Sequence, residues 1–390
     1  LADIDRYRQY HYIGSTNTVR IRAISKIDQC VTLWIGGVAE VIFKCHVSKF
    51  DLRPTYLSRV MCWGRLTSYF WLFWTQPFMK LFQSNVATIW SDKTNIYSLA
   101  AKPLIFRLPP EGAHKAAETA LGIPGIWNAL RIANGANDNK LKTNIAGIEL
   151  PTPIGMAAGF DKDCKVLGSV LNLGFGFTTG GTVTLSARPG NPKPRMIRLP
   201  EQKAVMNSLG FPGQGLEPAI KRLKKSQKYK SRVLISIAGT IDDEIFECLR
   251  RSQSLVSGIE LNISSPNTAG LRIFHDPGRL RGLIEGLVAE KQVPLFVKLP
   301  PWPRNDENRY ELLKLAATAV DAGVDGLVVA NTHPIENTRL KVGRGGLSGA
   351  PLFEHTELMI ADIQAQVRGQ ASIIACGGVS TAEHVWKLLA

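Results

Sequence analysis

Asn207, Asn262, Asn267 and Asn331 each stand near a point where a short apolar run passes into polar or glycine-rich residues. Their amides offer donors and acceptors to the N–H and C=O edges of a planar ring. Lys162, in Gly159-Phe160-Asp161-Lys162, adds the positive charge that a carboxylated ring requires. Lys298 closes the apolar run Leu295-Phe296-Val297, where an amine is costly to bury unless it faces a group that accepts charge. The pyrimidine ring of a flavin under reduction is such a group; an amine that escapes to solvent is the other reading. Ser265 lies in a Ser264-Ser265-Pro266-Asn267 turn with no His/Asp partner in a nucleophile elbow. Acyl transfer is therefore disfavoured, and proton abstraction is left, with Thr182 and the asparagines as routes for the departing proton. The glycines of Gly345-Gly346-Leu347-Ser348-Gly349 and Gly377-Gly378 suit a phosphate, which needs closely approaching backbone N–H groups. Singly, each of these is a cap, a turn or a surface amine; placed behind successive strands they point to a phosphate-bearing cofactor.

Residues so far apart need a scaffold that gathers strand ends. From residue 147 onward, short β-branched or small apolar runs alternate with helical stretches, the pattern of βαβ units and a parallel sheet. Seven strands are expected, over 154–158, 176–183, 233–238, 258–263, 295–299, 326–330 and 372–375. The polar and glycine residues follow their C-terminal ends, which converge on the active site of a (β/α)8 TIM barrel. A doubly wound sheet would carry G-x-G-x-x-G after its first strand, and this chain does not. Between the second and third strands, 195–199 and 204–207 read as a hairpin laid over one end, in position to act as a lid.

The chain has 390 residues, 45% of them hydrophobic, and a formal net charge of +15. That length suits one large barrel with an N-terminal appendage. The charge is compatible with nucleic acid, an anionic membrane or small anionic ligands. Six scattered cysteines form no C-x-x-C pair, so neither zinc nor a disulfide framework is indicated and no metal is expected. Residues 1–96 hold twelve Lys/Arg against six Asp/Glu and two apolar stretches, 31–43 and 66–79. Both are short of the roughly 20 residues of a transmembrane helix and suit interfacial contact; a leader outside the folded protein is the equal alternative. Residues 97–130 read as a helical region, with Pro109-Pro110-Glu111 opening a helix. Residues 131–390 form the barrel.

Several motifs carry a family resemblance: Ala157-Ala158-Gly159-Phe160-Asp161-Lys162, Gly190-Asn191-Pro192-Lys193-Pro194-Arg195, Ile197-Arg198-Leu199-Pro200, and above all the run from Asn262-Ile263-Ser264-Ser265-Pro266-Asn267 to Arg272. With Gly345 to Gly349 they resemble class 2, quinone-dependent dihydroorotate dehydrogenase, from about Tyr97 to the end. The resemblance implies FMN as cofactor, Ser265 as the catalytic base where class 1 enzymes use cysteine, and oxidation of dihydroorotate to orotate with quinone as acceptor, in UMP biosynthesis. It implies that Lys162, Asn207, Gly210, Phe211, Asn262, Asn267, Asn331 and Thr332 hold the substrate. It assigns Ala157, Ala158, Thr182, Ser236, Asn262, Lys298, Gly349, Gly377 and Gly378 to FMN, and His114 and Arg198 to a quinone channel fed by Leu104, Ile105 and Phe106. It further implies peripheral attachment to a bacterial cytoplasmic or mitochondrial inner membrane, with no nucleic-acid partner. Ser236 stands where the family usually has an FMN-contacting Asn, and Ala330 where Thr is common. The chain stops at Ala390, before a Gly-Ala…Leu-Tyr-Thr segment that supplies strand eight, so an unclosed barrel is expected. Another FMN barrel reductase, acting on a dihydropyrimidine or on tRNA dihydrouridine, and a catalytically silent membrane-associated homologue are the alternatives.

Overall fold

The computed structural model describes residues 31–35, 39–43, 102–123, 125–128, 139–264, 270–301 and 306–389. Strands β1 (Val31–Ile35) and β2 (Ala39–Phe43) form an antiparallel pair by themselves; the apolar stretch 66–79 lies outside the described residues. Two helices follow, α1 (Lys102–Phe106) and α2 (Pro110–Leu121). Pro109 precedes α2, Pro110 is its first residue and Glu111 lies in its first turn, as expected for a donor-poor, dipole-favoured N-terminus. A tight hairpin of β3 (Thr143–Ile145) and β4 (Ile148–Leu150) turns through Ala146 and Gly147, both at positive φ.

The barrel alternates from there. Its elements are β5 (Gly155–Met156), α3 (Leu167–Asn172), β6 (Phe177–Val183), β7 (Met196–Leu199), β8 (Ala204–Asn207), α4 (Leu216–Lys225), β9 (Val233–Ile237), α5 (Asp242–Ser252) and β10 (Gly258–Asn262). They continue as α6 (Pro277–Glu290), β11 (Leu295–Lys298), α7 (Asp306–Asp321), β12 (Gly326–Val329), β13 (His333–Glu336), β14 (Arg344–Gly349), α8 (Phe353–Val367), β15 (Ser372–Ala375) and α9 (Ala382–Leu389). The expected parallel strands are present as one seven-stranded sheet in the order β15-β12-β11-β10-β9-β6-β5. Among the described residues β5 and β15 are its two edges and do not pair with each other. The first strand is shorter than the expected 154–158.

Side-chain alternation sets what each face does. Ile259 and Leu261 of β10 and Leu295 and Val297 of β11 point outward into the core shared with the helices. The helices meet them with stripes at helical spacing, such as Leu216, Ala219, Ile220 and Leu223 of α4 and Leu280, Leu283, Ile284 and Leu287 of α6. Asp276 caps α6 by accepting from the Arg279 N–H at 2.8 Å. Inside the barrel, Phe177, Leu234, Phe296 and Val328 pack on Ile148 and Leu150 of the β3–β4 hairpin, which plugs the N-terminal end. Everything above this plug is available for a site.

The expected hairpin of 195–199 and 204–207 is β7 and β8, but it does not stand alone. It joins the β13–β14 hairpin in a four-stranded antiparallel sheet of order β13-β14-β8-β7. This corrects the reading of Gly345 to Gly349 as a loop: the run is strand β14. Its glycines are required by close approach, since a Cβ on Gly345 would come 2.7 Å from the Asn207 carbonyl oxygen and one on Gly346 would collide with the Thr332 side chain.

Candidate active site

A cavity of about 600 Å³ opens over the barrel interior. The loop that follows β5 is the first part of its wall. Gly159 N–H donates to the Gly181 carbonyl at 2.7 Å and Gly181 N–H donates to the Asp161 carbonyl at 2.8 Å, tying the ends of β5 and β6 together. The Asp161 carboxylate accepts from the N–H groups of Lys165 and Val166, both at 2.7 Å. Burial pushes Asp161 up to about 6, against the pull of those two donors. In this frame Lys162 donates to the Gly159 carbonyl at 2.7 Å and lines the cavity. Burial brings its amine down to about 8, with Glu118, Asp161, Asp163 and Glu111 opposing the shift.

A chain of polar side chains crosses the strand ends. Ser236 and Thr182 hydroxyls are 2.9 Å apart, and Asn262 Nδ2 donates to Thr182 Oγ1 at 2.9 Å. Asn262 Oδ1 accepts from the Ser264 hydroxyl at 3.0 Å and its N–H at 3.2 Å. Asn331 Nδ2 donates to Ser264 Oγ at 2.9 Å, and Asn331 Oδ1 accepts from the Thr332 N–H at 2.7 Å. These links fix the amides of Asn262 and Asn331, so the rim is preorganised. Asn207 sits at the end of β8, opposite Gly346 of β14, and Gly210 and Phe211 follow it; all three line the cavity.

Lys298 is only 5% exposed and does not reach solvent, which removes the escaping-amine reading. Burial on its own lowers its pKa, but the Cys376 thiol and the Glu260 carboxylate raise it on balance. Gly349, Gly377 and Gly378 line the same cavity, with φ of +102, +134 and +68. A Cβ on Gly378 would collide with the Phe353 backbone, so bare main chain faces the cavity there.

Of the expected residues, Ala157, Ala158 and Thr182 also line the cavity. Ser236 is fully buried behind Thr182 and is no part of the wall; it touches the site only through its hydrogen bond. Ser265 and Asn267 lie outside the described residues. His114 lines a second cavity of about 450 Å³, together with Glu111, Glu118 and Arg195, and Lys162 belongs to both walls. The His114 ring packs edge-on against Phe160, centroids 5.1 Å apart. Arg198 lies in neither wall; it stacks on the Phe106 ring at 4.8 Å and donates to the Leu108 carbonyl at 2.8 Å. Arg195 clamps Glu111 through two bonds of 3.1 and 3.0 Å, so β7 and its approach hold both N-terminal helices. Sequence reasoning missed Glu260 and the linking role of Ser264; a charged residue inside the apolar Gly258–Asn262 strand was the available signal. Among the described residues no group of three or more His, Cys, Asp or Glu is placed to hold a metal.

A parallel barrel that buries a lysine under a rim of oriented amides, in a cavity at the C-terminal ends of its strands, has the active-site arrangement of a barrel enzyme. The family model for dihydroorotate dehydrogenase matches residues 140–390. Over 308 residues the chain is 35% identical to a dihydroorotate dehydrogenase (quinone) of Chelativorans sp. (strain BNC1), covering 74% of this chain and 82% of the relative. It is 36% identical over 309 residues to the mitochondrial dihydroorotate dehydrogenase (quinone) of Cyclocybe aegerita, covering 74% and 91%. A crystal structure of the Eimeria tenella enzyme in complex with ferulenol superposes with a TM-score of 0.63 at 30% identity, covering 72% of this chain and 82% of that one. The chain belongs to the dihydroorotate dehydrogenase family, on its quinone-linked side; these are flavin-dependent oxidoreductases of pyrimidine biosynthesis. Membership sets aside the dihydropyrimidine and dihydrouridine reductases.

Proposed function

We propose that this chain binds FMN, oxidises (S)-dihydroorotate to orotate and delivers the electrons to a membrane quinone. The observation that carries the proposal is the cavity itself: the buried Lys298, a rim of linked amides and a glycine cradle share a single volume. The fit to FMN is supported by Lys298, a buried cation facing the cavity, and by Gly349 and Gly378, whose positive φ and close packing on neighbouring backbone leave bare main chain at the wall, as a phosphate requires. Ala157, Ala158, Thr182, Asn262, Gly377 and Lys298 complete the FMN contacts in this reading. Bound there, FMN supplies a two-electron acceptor that a quinone can reoxidise.

The protein's own part is positioning and proton transfer. Lys162 binds the substrate carboxylate, and Asn207, Asn262, Asn267, Asn331 and Thr332 hold the ring edges, with Gly210 and Phe211 in the same wall. Ser265 removes the substrate proton, and Thr182 offers the next hydroxyl. Asn262 and Ser264 keep Thr182 and Asn331 in register through the chain of bonds above.

Residues 97–130 would then be the quinone entrance. Leu104, Leu108, Ile123 and Ile126 of the α1–α2 region are exposed apolar side chains, which supports peripheral contact with a bacterial cytoplasmic or mitochondrial inner membrane. No helix among the described residues is long and apolar enough to cross one. In this reading His114, in the wall of the second cavity, and Arg198, which holds α1, serve the quinone's approach. The test is dihydroorotate oxidation by the purified, FMN-supplemented chain, with and without a quinone. Quinone-dependent orotate formation is expected; bleaching of the flavin by dihydroorotate without any turnover on quinone would overturn the acceptor, and no bleaching would overturn the substrate.

A further inference from the structure

Beneath the amide rim the cavity holds an ion that none of these roles uses. Glu260 lies in the middle of β10, two residues before Asn262 and on the same inward face. Its neighbours across the sheet are Phe296 on β11 and Ser236 on β9, and Asn262 is opposite Lys298. Glu260 and Lys298 thus occupy adjacent strands of one barrel interior, one layer apart, and both line the cavity. Glu260 is 3% exposed, and its Oε1 is buried without a hydrogen-bond donor among the described residues. A carboxylate in that position is retained only if a cation offsets it.

We propose that Glu260 is a positioning residue for the reaction, whose carboxylate keeps the Lys298 side chain an ammonium inside the cofactor cavity across the working pH range. Alone in the barrel, Lys298 would shed its proton to escape burial. Its pKa is raised despite that burial, the Cys376 thiol acting first and the Glu260 carboxylate second. The other groups facing Lys298 are few: the Cys376 thiol from the end of β15, Lys203 from the β7–β8 turn and Lys162 from the loop after β5, while β12 contributes Val328 and Ala330. Glu260 is the only carboxylate in the cavity wall among the described residues. The inference rests on the flavin reading, because the consequence of a constant charge is a cofactor potential free of any lysine titration.

Glu260→Gln keeps the shape and removes the charge. Competitive acetylation of Lys298, followed by mass spectrometry against pH on the apo and FMN-loaded chain, reads the amine directly. The parent amine is expected to titrate above 10.5, the ordinary lysine value, and the Glu260→Gln amine about one pH unit or more lower. The midpoint potential of bound FMN should acquire an alkaline break in the variant, and that break should vanish in the Lys298→Met background. Identical Lys298 titration in parent and variant, or a break that survives Lys298→Met, would overturn the proposal. If Glu260→Gln does not fold, a parent amine titrating at or below 10.5 overturns it just as well. Should the acetylation results hold while dihydroorotate is not oxidised, the function proposed above falls and the Glu260–Lys298 pair stands.

Discussion

Replacing Lys162 by methionine removes one ammonium and little volume, and the structure specifies what should change with pH. Burial brings the Lys162 amine to about 8, so in the free enzyme about nine-tenths of it is neutral one pH unit higher. Because kcat/KM reports groups of the free enzyme, kcat/KM for dihydroorotate should fall about tenfold per pH unit above that point. In Lys162→Met the alkaline fall should be gone. At pH 7 the variant loses one charge-assisted contact, about 1.5–3 kcal/mol, which is roughly ten- to hundredfold in kcat/KM, felt mainly in KM. Stability should move the other way. A lysine whose folded pKa lies below its unfolded value costs stability below about pH 8, and the cost is relieved as pH rises toward 10.5. The variant should therefore melt higher than the parent at pH 7 and gain less at pH 10. Initial rates across pH 6–10 and thermal melts at both ends measure all of this. A parent-like KM with the alkaline fall still present would show that the amine does not meet the substrate carboxylate and that another group sets the limb.

Ser265→Ala should leave FMN bound yet slow flavin reduction by dihydroorotate by orders of magnitude in stopped flow, since it removes the base and spares the cofactor contacts; parent-like reduction would end the assignment. Arg198→Ala loses the stack on Phe106 and the bond to the Leu108 carbonyl, together about 1–3 kcal/mol of α1 docking, so the KM for a long-chain quinone should rise while a small soluble acceptor is reduced as before. Equal loss with both acceptors would refute a channel there. Gly378→Ala puts a methyl into the Phe353 backbone at a φ of +68, and FMN content after gel filtration should drop about tenfold or more for ~1.4 kcal/mol of strain; full retention would remove Gly378 from the phosphate cradle.

What the sequence made legible was chemistry out of place. Lys298 ends an apolar strand, and four asparagines follow strand ends, so burial had to bring them to a common volume; the cavity contains Lys298 and three of those asparagines, while Asn267 lies outside the described residues. The strands themselves were readable because their outward faces are packed under helices and are therefore continuously apolar. Glycine was the weaker guide. The run from Gly345 reads as a turn, because glycine permits turns, yet it is a strand whose partners come too close for a Cβ. Only the folded neighbours Thr332 and Asn207 distinguish the two. Ser236 shows the same limit in reverse: one position in β9 was assigned to the cofactor, but alternation and register turn its hydroxyl onto Thr182.

Glu260 escaped attention although it carries the same signal as Lys298, and the reason lies in how the barrel is layered. At the bottom, Phe177, Leu234, Phe296 and Val328 close on the β3–β4 plug. Glu260 stands opposite Phe296, and Lys298 two residues further along β11; both are almost wholly buried ions. Level with Lys298 and beyond it, Thr182, Asn262, Ser264 and Asn331 are neutral and hydrogen-bonded to one another. An isolated charge at either position would be expelled or neutralised, so neither residue is intelligible alone, and a reading that takes strands one at a time explains the lysine by its ligand and leaves the acid unexplained. Sheet register resolves this: Asn262 lies opposite Lys298, and Glu260 falls two residues below on the inward face. The two ions are thus staggered along the barrel axis, the acid level with apolar Phe296 and the lysine level with the amide of Asn262. A cofactor ring seated over the rim would meet the Lys298 cation before its counter-charge, which lies two residues deeper. That order favours negative charge on the ring over negative charge below it, and it is lost by inverting the two side chains even though the net charge is unchanged.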